Sequence, residues 1–107
     1  MIKVVNLKNF EVHRYMHLVK VDRSTVLGNP FRIGVDGDRA EVIEKYRQSL
    51  WKHIQQRDHI SLALYDLYKG WKEHGIIYLG CWCAPKACHA DVIKSCLEWM
   101  DEEKFNL

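Results

Sequence analysis

The sequence predicts an α/β fold in a single domain spanning residues 1–107. Three observations predict it. A β-branched apolar run opens the chain and a second apolar run returns at residues 76–82. Two stretches of helical periodicity lie between them. The second run then passes through a Cys/Pro turn into a further helical stripe, giving the strand–turn–helix unit of α/β folds.

Taken in order, residues 3–7 (Lys-Val-Val-Asn-Leu) are β-branched and apolar and predict a strand. Residues 17–22 predict a second, shorter strand, with His13, Arg14 and His17 forming a polar cluster near the first strand's end. Residues 24–37 hold Gly28, Pro30, Gly34 and Gly37, which argues for a loop. A loop this long in a small domain is often functional. Asp38 with Glu41 three residues later reads as a capping box, and Val42, Ile43, Tyr46, Leu50 and Ile54 continue at helical spacing. A second helix is expected over 61–73, with Leu64, Leu67, Tyr68 and Trp71 on its apolar face and Gly75 as its stop. Residues 76–82 form a continuous apolar run, too short for a helix, and predict a buried strand. After the turn, Val92, Ile93, Cys96, Leu97 and Met100 make one helical stripe; residues 101–107 are expected to fray.

Composition narrows the function. At 48% hydrophobic residues the chain can bury a core, so disorder is not expected. A formal net charge of +2 is too mild to imply a nucleic-acid binder. No apolar run approaches the ~20 residues of a membrane helix. The first residues lack the layout of a secretory signal, so a cytoplasmic location is expected. Exposed aromatics would permit a homo-dimer without requiring one.

Three of the four cysteines, Cys81, Cys83 and Cys88, cluster in one turn beside His89, where a secreted disulfide scaffold would spread them along the chain. Three readings of this turn stay open. In one, Cys88 at a helix start has its thiolate stabilised by free N–H groups and the dipole, with Lys86 adding a cation and His89 as partner. Cys88 is then a nucleophile or an anion-site residue. In another, Cys81, Cys83, Cys88 and His89 bind zinc, although adjacent Cys-His ligands and a Cys-x-Cys pair on a strand strain tetrahedral closure. In the last, the cysteines pack as small core residues, Cys96 above all. Trp82 is read as a core or pocket-wall residue, or as a surface for a stacked base. Cys83 and Cys88 as a redox pair lack the usual Cys-x-x-Cys spacing.

In the loop, Gly34, Gly37 and the approaching helix can cradle an anion, with Arg32 and Arg39 as bidentate partners for a phosphate or carboxylate. Asp36 and Asp38 can equally cap and solvate.

These two regions carry a resemblance. The chain resembles the domain-of-unknown-function family 4326, small proteins of bacteria, archaea and phages. The matching segments are Val4-Val5-Asn6-Leu7, Gly28-Asn29-Pro30-Phe31, Asp36-Gly37-Asp38-Arg39 leading into residues 42–47, and residues 79–85 with Cys88-His89-Ala90-Asp91. The resemblance implies that the Asn-Pro-Phe loop, Asp36, Arg39 and the Cys turn belong to one site. The Cys-His helix start is also similar to that of a second family of unknown function, number 488. That shared layout implies a Rossmann-like sheet with flanking helices and a pocket beyond the strand ends. Two departures stand out. Residues 17–23 occupy the place of an Ile-Gly-Arg type stretch, with Arg23 as the candidate arginine, and Ala90 stands where a glycine is common.

The resulting expectation is a domain that binds a small anionic molecule, a nucleotide or nucleotide-derived ligand. Asn29, Pro30, Phe31, Arg39, Trp82 and Cys83 would line its site. If the chain is an enzyme, Cys88 is the nucleophile, His89 its partner and Asp36 an acid or base. Two alternatives are a non-catalytic phage protein that sequesters a nucleotide defence signal, and a zinc-stabilised interaction module.

Overall fold

The computed structural model describes residues 1–11 and 17–103. His13 and Arg14 of the expected polar cluster lie outside the described residues. The element order is β1 (Ile2–Asn6), β2 (Leu18–Lys20), α1 (Arg39–Gln56), α2 (His59–His74), β3 (Ile77–Cys81) and α3 (His89–Glu102). The three strands form one parallel sheet in the order β1-β3-β2. Ile2 to Asn6 pair in register with Ile77 to Cys81, and Leu18 to Lys20 pair with Tyr78 to Gly80.

β3 is the central strand, and its sequence shows why. Ile77, Leu79 and Cys81 alternate onto one face and are essentially inaccessible. They join Leu64, Leu67, Ile93, Leu97 and Met100 in a single apolar core. The opposite face carries Tyr78 and Gly80. Phe10 packs on Tyr78 with ring centroids 5.2 Å apart, and Leu7 lies directly over Gly80. A strand enclosed on both faces reads as a continuous apolar run, as residues 76–82 do. The run nevertheless ends one residue early: the strand stops at Cys81, and Trp82 is 58% exposed rather than buried.

The helices begin and end as their caps dictate. Asp38 caps α1 by accepting the Glu41 N–H at 2.8 Å, and the Glu41 carboxylate accepts the Asp38 N–H at 3.1 Å. α2 starts two residues before the expected position, because Asp58 accepts the N–H groups of Ile60 and Ser61. Gly75 ends it in the left-handed region at φ 79°. α3 runs on through Asp101 and Glu102, where fraying was expected. Asp101 holds that end by accepting from Lys72 Nζ at 2.9 Å and the Tyr68 hydroxyl at 3.1 Å. α2 and α3 both contact the sheet, and α1 packs on both. No helix among the described residues is long and apolar enough to cross a membrane.

Candidate functional site

All three strands end on the same side of the molecule, as parallel strands must. The chain leaves β1 at Asn6, β2 just before Val21 and β3 at Cys81. Three connections therefore meet at this edge, together with the start of α3. They enclose a cavity of about 320 Å³ lined by Asp22, Arg23, Asn29, Arg39, Trp82 and His89, together with Cys81, Cys83 and Cys88. That volume is at the lower end of the ~300–1,000 Å³ usual for small-molecule sites.

Polar side chains hold the connections apart. Asn6 Nδ2 donates to the carbonyls of Ala84 (2.8 Å) and Trp82 (3.3 Å), which anchors the turn after β3 to the end of β1. Asp22 fastens the same turn to β2. Its carboxylate accepts the Trp82 indole N–H at 2.8 Å and the Ser24 hydroxyl. Those bonds, Ser24 first, hold the Asp22 carboxyl below its ordinary pKa. The indole is thus oriented at the rim although its ring is largely in solvent.

Arg23 fixes the glycine-rich loop by donating to the carbonyls of Asn29 (3.1 Å) and Phe31 (3.2 Å). Gly28 has to be glycine here: a Cβ would lie 2.5 Å from both the Asp22 carbonyl oxygen and the Arg23 Cα. Asn29 is buried. Its amide donates to the Val42 carbonyl in α1 and its Oδ1 accepts the Phe31 N–H, so its side chain braces the loop. Arg39, the first residue of α1, reaches across to donate to the Ala87 carbonyl at 3.0 Å. Each arginine keeps further N–H donors beyond these bonds.

His89 sits at the first position of α3, buried. Its Nε2 donates to the Val21 carbonyl, and the edge of Tyr46 lies 5.2 Å away between ring centroids. In the neutral ring this leaves Nδ1 as the acceptor. Tyr46 donates its own hydroxyl to the Leu27 carbonyl at 2.7 Å, and burial pushes its pKa up.

The two buried cysteines form a pair. Cys81 Sγ and Cys88 Sγ are 3.1 Å apart, joining the end of β3 to the N-cap of α3, and both are free thiols. The sequence pointed to Cys88 as the lowered thiol, and here the structure differs. Cys81 is the sulfur held low, to about 6, by its contact with the Cys88 thiol and then by the backbone N–H groups of Cys83 and Ala84. Cys88 is pushed up, first by that same bond and then by burial. Its helix-start advantage survives as a bond from the Ala90 N–H, but two anionic sulfurs cannot share 3.1 Å. Cys96 stands apart on α3, where burial raises its thiol to about 12.

The structure thus brings Asn29, Arg39, Trp82, Cys83, Cys88 and His89 to one cavity and leaves three candidates outside its lining. Asp36 closes its own turn: its carboxylate accepts the Arg32 N–H and its carbonyl accepts from Lys45. Pro30 lines a separate depression beside α1, and Phe31 contributes its backbone to Arg23. Among the described residues, no three His, Cys, Asp or Glu side chains stand together so as to hold a metal ion. The zinc set does not close, because His89 Nε2 is committed to Val21 and the Cys81–Cys88 contact is sulfur to sulfur. Asp22 and Ser24 were not singled out from sequence. The signal was present in the Asp-x-Ser spacing just after a strand, which favours a side chain turning back onto the backbone.

Comparison with known proteins adds one finding. No curated protein and no solved structure matches the chain. A family model described as a domain of unknown function (DUF4326) matches residues 5–99, which takes in β1, the glycine-rich loop and the Cys/His turn. The chain belongs to that family.

Proposed function

We propose that this domain binds a small anionic molecule of the nucleotide class in the cavity at the carboxyl ends of its strands. One observation carries the reading. A 320 Å³ cavity is flanked by two arginines, Arg23 and Arg39, and by an indole, Trp82, that is solvent-exposed yet fixed by Asp22. Guanidinium donors suit a phosphate, and an oriented aromatic face suits a base. The place itself is where ligands collect in open α/β sheets.

The geometry favours holding the ligand over converting it. Asp36 lies outside the cavity lining and His89 Nε2 is occupied by Val21, so the expected Asp36–His89 pair is not assembled on the cavity wall. The ligand is therefore expected to be returned unchanged.

Calorimetric titration with a panel of nucleoside mono- and diphosphates, nucleosides and inorganic phosphate tests this. At least one nucleotide should bind more tightly than its nucleoside, and Arg39→Ala should weaken it roughly tenfold or more, the value of one charge-assisted hydrogen bond. Equal affinity for the nucleoside, or no effect of Arg39→Ala, would overturn the reading. Chromatography of the recovered ligand distinguishes storage from turnover.

A further inference from the structure

We propose that Cys81 and Cys88 form a dithiol redox site that exchanges with low-molecular-weight disulfides entering the cavity, Cys81 attacking and Cys88 resolving. The proposal stands apart from the identity of any anionic ligand.

Two geometric facts carry it, and the electrostatics of the pair set its order. The two sulfurs are already 3.1 Å apart, whereas a disulfide bond is ~2.05 Å, so closure needs an approach of only about 1 Å. Both cysteines line the cavity, the space through which a small reagent approaches residues that are otherwise buried. The pair is also asymmetric. Cys81 is surrounded by donors: the Cys88 S–H and the N–H groups of Cys83 and Ala84. Cys88, pushed up by the same contact and by burial, keeps its proton and waits as the thiol. An attacking sulfur and a resolving sulfur need this division.

The chemistry balances. The Cys81 thiolate attacks one sulfur of a disulfide R–S–S–R, forming a Cys81–S–S–R bond and releasing RS⁻. That thiolate takes the Cys88 proton and leaves as RSH. The Cys88 thiolate then attacks Cys81 Sγ, forming the Cys81–Cys88 bond and releasing the second RS⁻. Two electrons pass from the protein sulfurs to the substrate disulfide, and the reverse sequence reduces the protein with two thiols. Spacing along the chain hides this site, because the cysteines stand seven positions apart. The fold brings them together by laying the start of α3 over the end of β3.

The test uses the whole reduced chain, 2-hydroxyethyl disulfide as probe, and intact-mass and peptide analysis under anaerobic conditions. The wild-type protein should lose the mass of two hydrogens and yield a Cys81–Cys88 crosslinked peptide. Cys88→Ser should instead retain one hydroxyethylthio adduct, on Cys81. Cys81→Ser should lose the crosslink and leave Cys88 unmodified. Wild-type protein that collects adducts on Cys83 while Cys81 and Cys88 stay reduced would overturn the proposal, and it does so without relying on either variant folding. Adduct on Cys88 in Cys81→Ser, formed as fast as on Cys81 in Cys88→Ser, would overturn the assigned order. None of these readouts involves a nucleotide, so the proposal and the ligand reading fail independently.

Discussion

The two ends of the parallel sheet are closed in different ways. At the amino end the main chain does the closing. The Ile77 N–H donates to the Met1 carbonyl, the Tyr78 N–H to the His17 carbonyl, and the amino group of Met1 to the Gly75 carbonyl. Ile2 and Ile77 fill the space beneath. At the carboxyl end the main chain closes only the strand ends themselves, Leu7 to Cys81 and Val21 to Gly80, and beyond them side chains span the gaps: Asn6 to Ala84, Asp22 to Trp82, Arg23 to the Asn29 loop, Arg39 to Ala87 and His89 to Val21. Main-chain closure consumes its donors and acceptors in pairs and leaves little for a visitor. Side chains are longer and carry spare donors, so they leave both a volume and a chemistry. The difference teaches where to look for function here, and every candidate with an argument behind it lies at the carboxyl end.

Substitutions at the two ends should separate accordingly. The largest effect is expected from Gly28→Ala, where the added methyl meets backbone at 2.5 Å on two sides. Urea denaturation should show a loss of about 2–4 kcal/mol, with loss of ligand affinity in whatever remains folded. At the other end, Gly75→Ala adds a methyl that meets nothing within 4 Å and bears only the left-handed backbone. It should cost about 1 kcal/mol and leave binding untouched. If Gly75→Ala lowers affinity as much as Gly28→Ala, the contrast between the ends is wrong.

A smaller change in stability, but a sharper one in function, is expected from Trp82→Ala. Its ring is largely exposed, so the stability loss should be about 1–2 kcal/mol, from its bond to Asp22, whereas loss of a stacking face should weaken nucleotide binding roughly tenfold. Last, labelling of Cys81 by a small alkylating agent should follow its lowered thiol. The thiolate is the reactive form, so labelling persists above a pH of about 6 and falls away as pH drops through that value. Cys88, raised, should stay unlabelled throughout the neutral range. Labelling that follows an unshifted thiol, or that starts at Cys88, would count against the asymmetry of the pair.

Much of the scaffold is legible in the sequence because its signals are local. Asp38 and Glu41 announce the start of α1 within one turn, Gly75 ends α2, and the apolar run of β3 reports burial on both faces. The Cys/His turn is legible as a site because four chemically distinctive residues sit together. What escapes the sequence is non-local. The pairing of Cys81 with Cys88 depends on the angle between β3 and α3, which no spacing encodes. Helix-start reasoning alone therefore gave the lowered thiol to Cys88, when a neighbouring sulfur decides the matter. The family resemblance implied a place for Asp36 in the site, yet its turn with Arg32 and Lys45 keeps it to itself. Asn29 does reach the cavity, but its amide is spent on Val42 and Phe31, so its position was legible and its task was not.

The strand order β1-β3-β2 has a consequence for how the molecule comes into being. Among the described residues β1 and β2 do not pair with each other; each pairs with β3. During synthesis the first two strands therefore emerge without a partner and wait while α1 and α2 are made. The sheet, and with it the cavity floor at Cys81, forms only once residues 77–81 clear the ribosome. Until then the chain is a helical pair trailing two unpaired β segments. Its contacts are long-range and late, a pattern that slows folding and exposes strand edges along the way. A chain interrupted before β3 would lack the sheet, the sulfur pair and the pocket together.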